Sequence, residues 1–193
     1  MRLTGPRWLP SFLAARPECC VGWENMKRRA WLFGWIALFA TVGVNAQNKL
    51  SVTLTCKGET VHALDVGDRP EHLFAVWKEA CTYVQPARIG GEKLIDGYSV
   101  GFSEDTATES TTSGHHVATT ESGAKLFLAF HGTTPLKHLK RAGPTKGTWF
   151  YSGGTGKLEG IRGKGTYRVT RNPDGTFTVV IEGSYELSAA KTK

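Results

Sequence analysis

Apolar and polar residues alternate along most of the chain after residue 46. Leu50, Val52 and Leu54 share one parity and polar residues fill the other, as in a strand with one buried face. Strands are predicted in this way over residues 50–55 (continuing over 61–66), 72–84, 94–103, 116–120, 125–132, 148–152, 163–170 and 176–187. Residues 72–84 also suit one face of a helix, but the β-rich run at 81–84 favours a long strand. The pattern predicts an all-β domain.

Two segments break the alternation. Residues 104–114 are rich in Ser, Thr and acidic residues, and residues 133–145 carry two prolines and several basic residues, so both are predicted to be solvated loops. The turn signature at 172–175 closes the last hairpin. About eight strands without a convincing helix predict an antiparallel barrel, and a two-layer sandwich is the alternative.

Six glycines crowd the segment from Gly153 to Gly165, between strand-like residues. Glycine within a sheet marks a bulge, a bend or the close approach of another backbone. The spacing excludes a P-loop, because Gly156-Lys157 is preceded at the required distance by Tyr151 and followed by Leu158. The run therefore indicates a sharply curved sheet, as a small closed barrel requires.

The start of the chain predicts export. The basic residues at 27–29 precede an apolar stretch from Ala30 to Val44, which ends in small residues before Gln47. This is the pattern of a secretory signal peptide over residues 26–46, with an uncleaved anchor as the alternative. Met26 stands directly before the basic residues, so we expect translation to start there and residues 1–25 to be an over-extended N-terminus. The mature domain would span residues 47–193 and reside in the periplasm or the medium.

Removing this leader changes the charge. The chain has a formal net charge of +7, but residues 1–46 hold six basic and two acidic residues, which leaves +3 for the rest. The remaining basic residues are scattered among acidic ones, so no nucleic-acid partner is predicted. Without the signal segment no stable membrane insertion is predicted either.

Two cysteines remain in the mature region, Cys56 and Cys81, on separate strand-like segments. In an oxidising compartment such a pair favours one disulfide. There is no CxxC motif and no histidine at metal-ligand spacing from either cysteine, so redox or metal chemistry is the less favoured interpretation.

The glycine-rich segment also carries a family resemblance. Residues 153–163 read GGTGKLEGIRG, which resembles a segment of the allene oxide cyclase and dirigent barrels. The Gly-Thr-Tyr at 165–167, the turn at 172–175 and residues 182–187 are similar to small exported bacterial proteins with an allene-oxide-cyclase-like barrel. The resemblance implies an eight-stranded, calycin-like barrel that is often oligomeric. It transfers no catalytic residue, because the shared segment is structural.

Polar clusters provide few candidates for chemistry. His115 and His116 are adjacent, so on a strand they point to opposite faces, and with His131 they do not make a convincing metal site. Glu104 and Asp105 would offer acids at a barrel mouth, although their polar neighbours favour solvated loop carboxylates. We predict no catalytic residue, no metal and no cofactor.

Aromatic residues are the remaining candidates. The predicted strands carry many aromatic residues, and packing of the barrel interior is their commonest role. Those that could line an apolar cavity are Trp77, Tyr83, Tyr98, Phe102, Trp149, Phe150 and Tyr167. Trp77, Phe102 and Trp149 are the ones we expect in any ligand pocket. The leading hypothesis is an exported, non-enzymatic barrel that binds a small apolar molecule in its lumen or serves as an interaction module. The alternatives are an isomerase or cyclase that confines a reactive substrate and an oligomeric structural component of the envelope.

Overall fold

The computed structural model describes residues 47–188, with the side chain of Thr60 left out. The predictions for residues 1–25 and for the signal peptide at 26–46 lie outside the described residues. Among those described, no helix is long and apolar enough to cross a membrane.

Residues 47–188 form nine strands and one short 3₁₀ helix. The strands are β1 (Asn48–Asp65), β2 (Leu73–Ile89), β3 (Glu92–Asp105), β4 (Glu109–Thr120), β5 (Lys125–Lys137), β6 (Lys140–Arg141), β7 (Thr145–Gly154), β8 (Arg162–Arg171) and β9 (Phe177–Glu186), and the 3₁₀ helix η1 spans Gly156–Leu158. All strands except β6 are long, because the backbone of each one is hydrogen-bonded to a neighbouring strand along both edges.

The sheet closes on itself. The strand order is β4-β3-β2-β1-β9-β8-β7-β5-β6, and β4 also pairs with β5, so eight strands form a ring with β6 attached to β5. Every pairing is antiparallel. The predicted eight-stranded antiparallel barrel is confirmed, and closure leaves no exposed sheet edge along the eight long strands, unlike a sandwich.

The two ends of this barrel are built differently. At one end, here called the base, lie the turns at 90–91 and 121–124 and the segment from 155 to 161. At the other, here called the mouth, lie the turns at 66–72, 106–108, 138–144 and 172–176. The bend predicted from the glycine-rich run lies at the base, where η1 places Leu158 in a fully buried position.

The chain around Leu158 is tightly folded. A Cβ at position 154 would lie 2.5 Å from the Leu158 carbonyl oxygen, and Gly156 and Gly160 have positive φ angles of 59° and 74°. Only glycine allows this approach and these angles at low cost. The run thus shapes the turn that seals the base.

Both predicted loops are in part strand. Strand β4 begins at Glu109, inside the segment 104–114, and β5 continues to Lys137, inside the segment 133–145. Polar side chains occupy both faces of these strand ends, because polar residues also line the interior of the barrel near the mouth. A test based on apolar periodicity therefore missed these strand ends.

Candidate functional site

The mouth half of the barrel encloses a cavity of about 620 Å³. Its wall is made by inward-facing side chains of the long strands, and it reaches the mouth, where Val61 and the charged residues of β6 and β8 are exposed. The floor consists of His116, Leu128 and Ile181, which separate it from a void of only about 20 Å³ towards the base. A volume of this size suits a small organic ligand.

The lumen is hollow because glycines occupy inward positions where side chains would otherwise fill it. Three glycine pairs face each other across neighbouring strands: Gly101 with Gly114, Gly132 with Gly147, and Gly165 with Gly183. Aromatic rings lie against them. A Cβ at 101 would be 2.5 Å from Trp77, one at 147 would be 2.5 Å from Tyr167, and one at 183 would be 2.7 Å from Trp149. The rings therefore lie along the wall and leave the centre open.

Three of the aromatic residues form a continuous belt around the cavity. The rings of Trp77 and Phe130 stack with a centroid distance of 6.0 Å and an interplanar angle of 22°. Phe130 meets Tyr167 edge-on at 5.8 Å. Such contacts fix the ring orientations. The belt presents flat apolar surface to anything that enters the lumen.

Trp149 is paired with Phe130 across β5 and β7 and has a mainly structural environment. It is almost fully buried, and its Nε1 donates to the carbonyl oxygens of Thr166 and Glu182, both at 3.1 Å. Its ring packs against Tyr151 at a centroid distance of 4.8 Å. Trp149 contributes to the cavity wall but is fixed there by the sheet.

His116 is the polar residue of the floor. It is 8% exposed, its Nδ1 lies 3.0 Å from the Ser99 hydroxyl, and within the described part of the chain its Nε2 has no hydrogen-bond partner. Burial lowers the pKa of His116 to about 4, so the imidazole is neutral at pH 7. The ring fits because position 97 is glycine: a Cβ there would lie 2.7 Å from Nε2.

Two further ionisable groups face the cavity above the floor. Burial raises the pKa of Glu79, and the positive charge of Arg141 opposes that rise. Burial, and then the nearby Glu79 charge, raises the pKa of Tyr167 to about 12. The Tyr167 hydroxyl is buried and has no hydrogen-bond partner among residues 47–188. Glu79 and Tyr167 thus place a carboxyl and a phenol in a low-dielectric part of the lumen.

The predicted disulfide between Cys56 and Cys81 is confirmed. The two residues are directly paired in β1 and β2, with their Cα atoms 4.1 Å apart, and Cys56 lines the cavity. A carboxylate oxygen of Glu79 lies within 4.8 Å of both sulfurs. As long as the sulfurs are bonded to each other they are not thiolates, so this trio does not offer a metal-ligand set.

Charged side chains gather at the mouth. Arg141 and Arg171 both lie over the ring of Phe177, with their Cζ atoms 5.6 and 6.0 Å from its centroid. Asp105 accepts a hydrogen bond from the Ser110 hydroxyl at 2.5 Å. Of the two acids predicted at the mouth, Asp105 is the one that lines the cavity.

The other predicted acid, Glu104, belongs to a cluster in front of β2. Its carboxylate lies 2.8 Å from Nε2 of His72, and Asp68 lies 2.5 Å from Nδ1 of the same ring. Hydrogen bonds to these two carboxylates raise the pKa of His72 and lower that of Asp68. Through His72, this cluster connects the turn before β2 with the end of β3.

The expected position of Phe102 is wrong. Its side chain is 46% exposed on the outside of β3 and stacks on Phe74 at a centroid distance of 5.7 Å. The inward positions of β3 are the small residues on the opposite parity, Ser99, Gly101 and Ser103. Trp77 and Trp149 line the cavity.

The histidines are separated as strand geometry requires. His116 points inward, whereas His115 and His131 are exposed. The Nδ1 of His131 lies 2.9 Å from the Ser113 hydroxyl on the neighbouring strand. These three residues do not form one ligand set.

The solved structures to which the chain is similar include two at low sequence identity. One is named "Pyocyanin demethylase", with 17% sequence identity, 68% of this chain and 99% of that chain covered, and a TM-score of 0.38. The other is a pterocarpan synthase dirigent protein, with 12% identity, 74% and 89% coverage, and a TM-score of 0.43. No protein-family model matches the chain, and no curated protein matches it at a significant level.

Sequence reasoning missed Glu79, Phe130 and Arg141 as residues of the cavity. The first could have been found, because a residue two positions after an inward-facing Trp77 on a strand also faces inward. Phe130 follows in the same way from Leu128. Arg141 carries no such signal, since it belongs to a two-residue strand within a segment that reads as a loop.

Proposed function

We propose that this protein is an exported barrel that binds a small, flat, predominantly apolar molecule in the mouth half of its lumen. The observation that carries the proposal is the cavity of about 620 Å³ walled by the belt of Trp77, Phe130 and Tyr167. Rings that lie along the wall offer stacking surface to a planar guest without moving. The disulfide supports export, since such bonds persist in oxidising compartments.

Polar groups on the cavity wall support a guest with a polar group. Glu79, Ser103 and Thr112 line the same cavity and carry hydrogen-bonding groups. A few such groups orient a ligand in an otherwise apolar site. The proposed ligand therefore has at least one hydrogen-bonding group on its apolar body.

A neutral naphthalene probe tests lumenal binding. N-phenyl-1-naphthylamine should gain fluorescence with the wild-type protein and quench its tryptophans. Ala75→Trp places a large side chain on a cavity-lining position of β2, whereas Ala80→Trp places one on the exposed face of the same strand. The first variant should weaken binding by about tenfold or more, equivalent to 1.4 kcal/mol, and the second should not. Equal affinity in both folded variants would falsify lumenal binding.

A second candidate function is an isomerase that moves a proton on a confined substrate. It is favoured by Glu79, whose pKa is raised by burial beside the Tyr167 phenol in the same cavity. A carboxylate with a pKa closer to neutrality removes a carbon-bound proton more readily and can return it at another carbon. The test is deuterium incorporation from D₂O into small molecules of a host extract. Wild-type protein should incorporate it into a compound that Glu79→Gln leaves unlabelled, while the naphthylamine still binds both proteins.

A further inference from the structure

We propose that the lumenal ligand is an organic anion whose acidic group binds Arg141 and Arg171 at the mouth. This inference rests on the proposed lumenal binding and adds the charge of the ligand. Both arginines line the cavity, one from β6 and the other from the last residue of β8. Their positions place positive charge directly above the aromatic belt.

The two guanidinium groups are held in position from one side. Both lie over the ring of Phe177, at 5.6 and 6.0 Å from its centroid, an arrangement that orients a cation without neutralising it. Arg141 also donates from NH1 to the Thr145 hydroxyl at 2.8 Å. That hydroxyl lies 2.6 Å from the hydroxyl of Thr134, and both threonines are buried.

Within the described residues, neither Arg141 nor Arg171 takes part in a salt bridge. A guanidinium has five N–H donors, and the hydrogen bond to Thr145 uses one of those of Arg141. Desolvation lowers the pKa of Arg141, and the neighbouring Arg171 charge lowers it further. A bound anion would offset both effects, because it would pair with the free donors.

The carboxylates of the cavity do not fill this role. Glu79 and Asp105 act on Arg141 only over distances beyond salt-bridge range. Asp105 is engaged by Ser110, and burial raises the pKa of Glu79, which favours its uncharged form. The cavity is lined by four cationic side chains, Lys78, Lys140, Arg141 and Arg171, and by two carboxyls, and Lys78 is paired with Glu59. The excess of positive charge disfavours a cationic guest.

The shape of the lumen determines the rest of the ligand. The anionic group sits at the mouth, and the body extends inward along the rings of Trp77, Phe130 and Tyr167 towards the floor at His116. A flat aromatic body with one acidic group, such as a carboxylate, a sulfonate or an acidic phenol, meets both requirements. These groups share the chemistry that a guanidinium pair recognises.

A matched pair of probes tests the charge. 8-Anilinonaphthalene-1-sulfonate and N-phenyl-1-naphthylamine share one aromatic skeleton and differ in the sulfonate. We expect the sulfonate to bind wild-type protein about tenfold more tightly than the amine, which corresponds to 1.4 kcal/mol. Arg141→Gln and Arg171→Gln should each weaken the sulfonate by about five- to tenfold and change the amine by less than about twofold.

Two controls belong to this experiment. Arg168→Gln removes an exposed arginine from the outer face of β8 and should leave both affinities unchanged. Ala75→Trp should weaken both probes, which places them in the lumen rather than on an outer apolar surface. Raising the salt concentration from about 50 to about 500 mM should weaken only the sulfonate, because salt screens exposed charges. Thermal unfolding confirms that each variant is folded.

The outcomes separate the two proposals. If the amine binds in the lumen but the sulfonate is not favoured, or if both arginine variants bind it normally, the anion inference is wrong and lumenal binding stands. If neither probe is affected by Ala75→Trp, lumenal binding itself is wrong. Preferential binding of the sulfonate that is lost in the arginine variants supports both.

Discussion

The base half and the mouth half of this barrel share the same strands but differ in what those strands point inward. Towards the base most inward side chains are apolar, among them Leu50, Leu94 and Leu126, and they surround a void of only about 20 Å³. Towards the mouth the inward positions hold glycines, small polar residues and rings that lie along the wall, around a cavity of about 620 Å³. The base therefore forms a packed core, whereas the mouth half is less densely packed and contains the cavity.

The difference shows how one closed sheet serves stability and binding at once. Close-packed aliphatic side chains contribute most where they exclude all space. A hollow half costs that contribution, and the disulfide at the cavity wall, which closes a 25-residue separation, offsets part of the cost by restricting the unfolded chain. The following changes act on one half at a time.

The largest effect is expected at the base. Leu158→Ala should lower the free energy of unfolding by about 2–5 kcal/mol, because it removes a fully buried side chain from the closed end and leaves a cavity. Urea unfolding measures the change. Leu64→Ala, at a side chain that is 69% exposed, is the control and should change stability by less than about 0.5 kcal/mol. The comparison of the two halves would be wrong if Leu158→Ala cost no more than this control.

The next effect concerns the buried histidine between the halves. His116 has a pKa lowered from 6.5 to about 4, so on acidification the unfolded chain takes up a proton before the folded protein does. Stability should therefore fall between pH 6.5 and 4, by about 3 kcal/mol in total at 1.4 kcal/mol per unit. Urea unfolding at a series of pH values measures this loss, and His116→Gln should lack it.

His72 at the mouth provides the control of opposite sign. Its pKa is raised by the carboxylates of Asp68 and Glu104, so its contribution is present below 6.5 and is lost as the pH rises through the folded-state pKa. His72→Gln should therefore lose stability relative to wild type at acidic pH, whereas His116→Gln should gain it. If both variants shift in the same direction, the assignment of a dry floor and a wet mouth fails.

The sequence predicts the packed half of the molecule better than the hollow half. Around the base, apolar alternation marks the strands because most inward positions are apolar, as at Leu50 and Val52. The disulfide was also predictable, because Cys56 and Cys81 are the two cysteines of the domain. The closed barrel follows from the strand count and the glycine-rich bend.

Around the mouth the usual signal is inverted. On β3 the large apolar Phe102 faces outward, while Ser99 and Ser103 face inward. On β4 the inward residues Ser110 and Thr112 made a strand read as a loop. Apolar periodicity identifies the inward face of a strand only where that face is packed with apolar side chains. Where the lumen is polar or empty, the inward residues lack this periodicity and are not recognised.

The smallest effect compares the same enlargement in both halves. Ala118→Leu adds three carbons beside the void of about 20 Å³ and should cost about 1–3 kcal/mol, since the base has no room for them. Ala75→Leu adds the same atoms at the wall of the large cavity and should change stability by less than about 0.5 kcal/mol, because it meets space rather than atoms. Urea midpoints at constant m-value give both numbers. Ala75→Leu should instead weaken the naphthylamine probe, and Ala118→Leu should not. An equal stability cost at both positions would mean that the mouth half closes up in solution, and the cavity on which lumenal binding depends would not exist there.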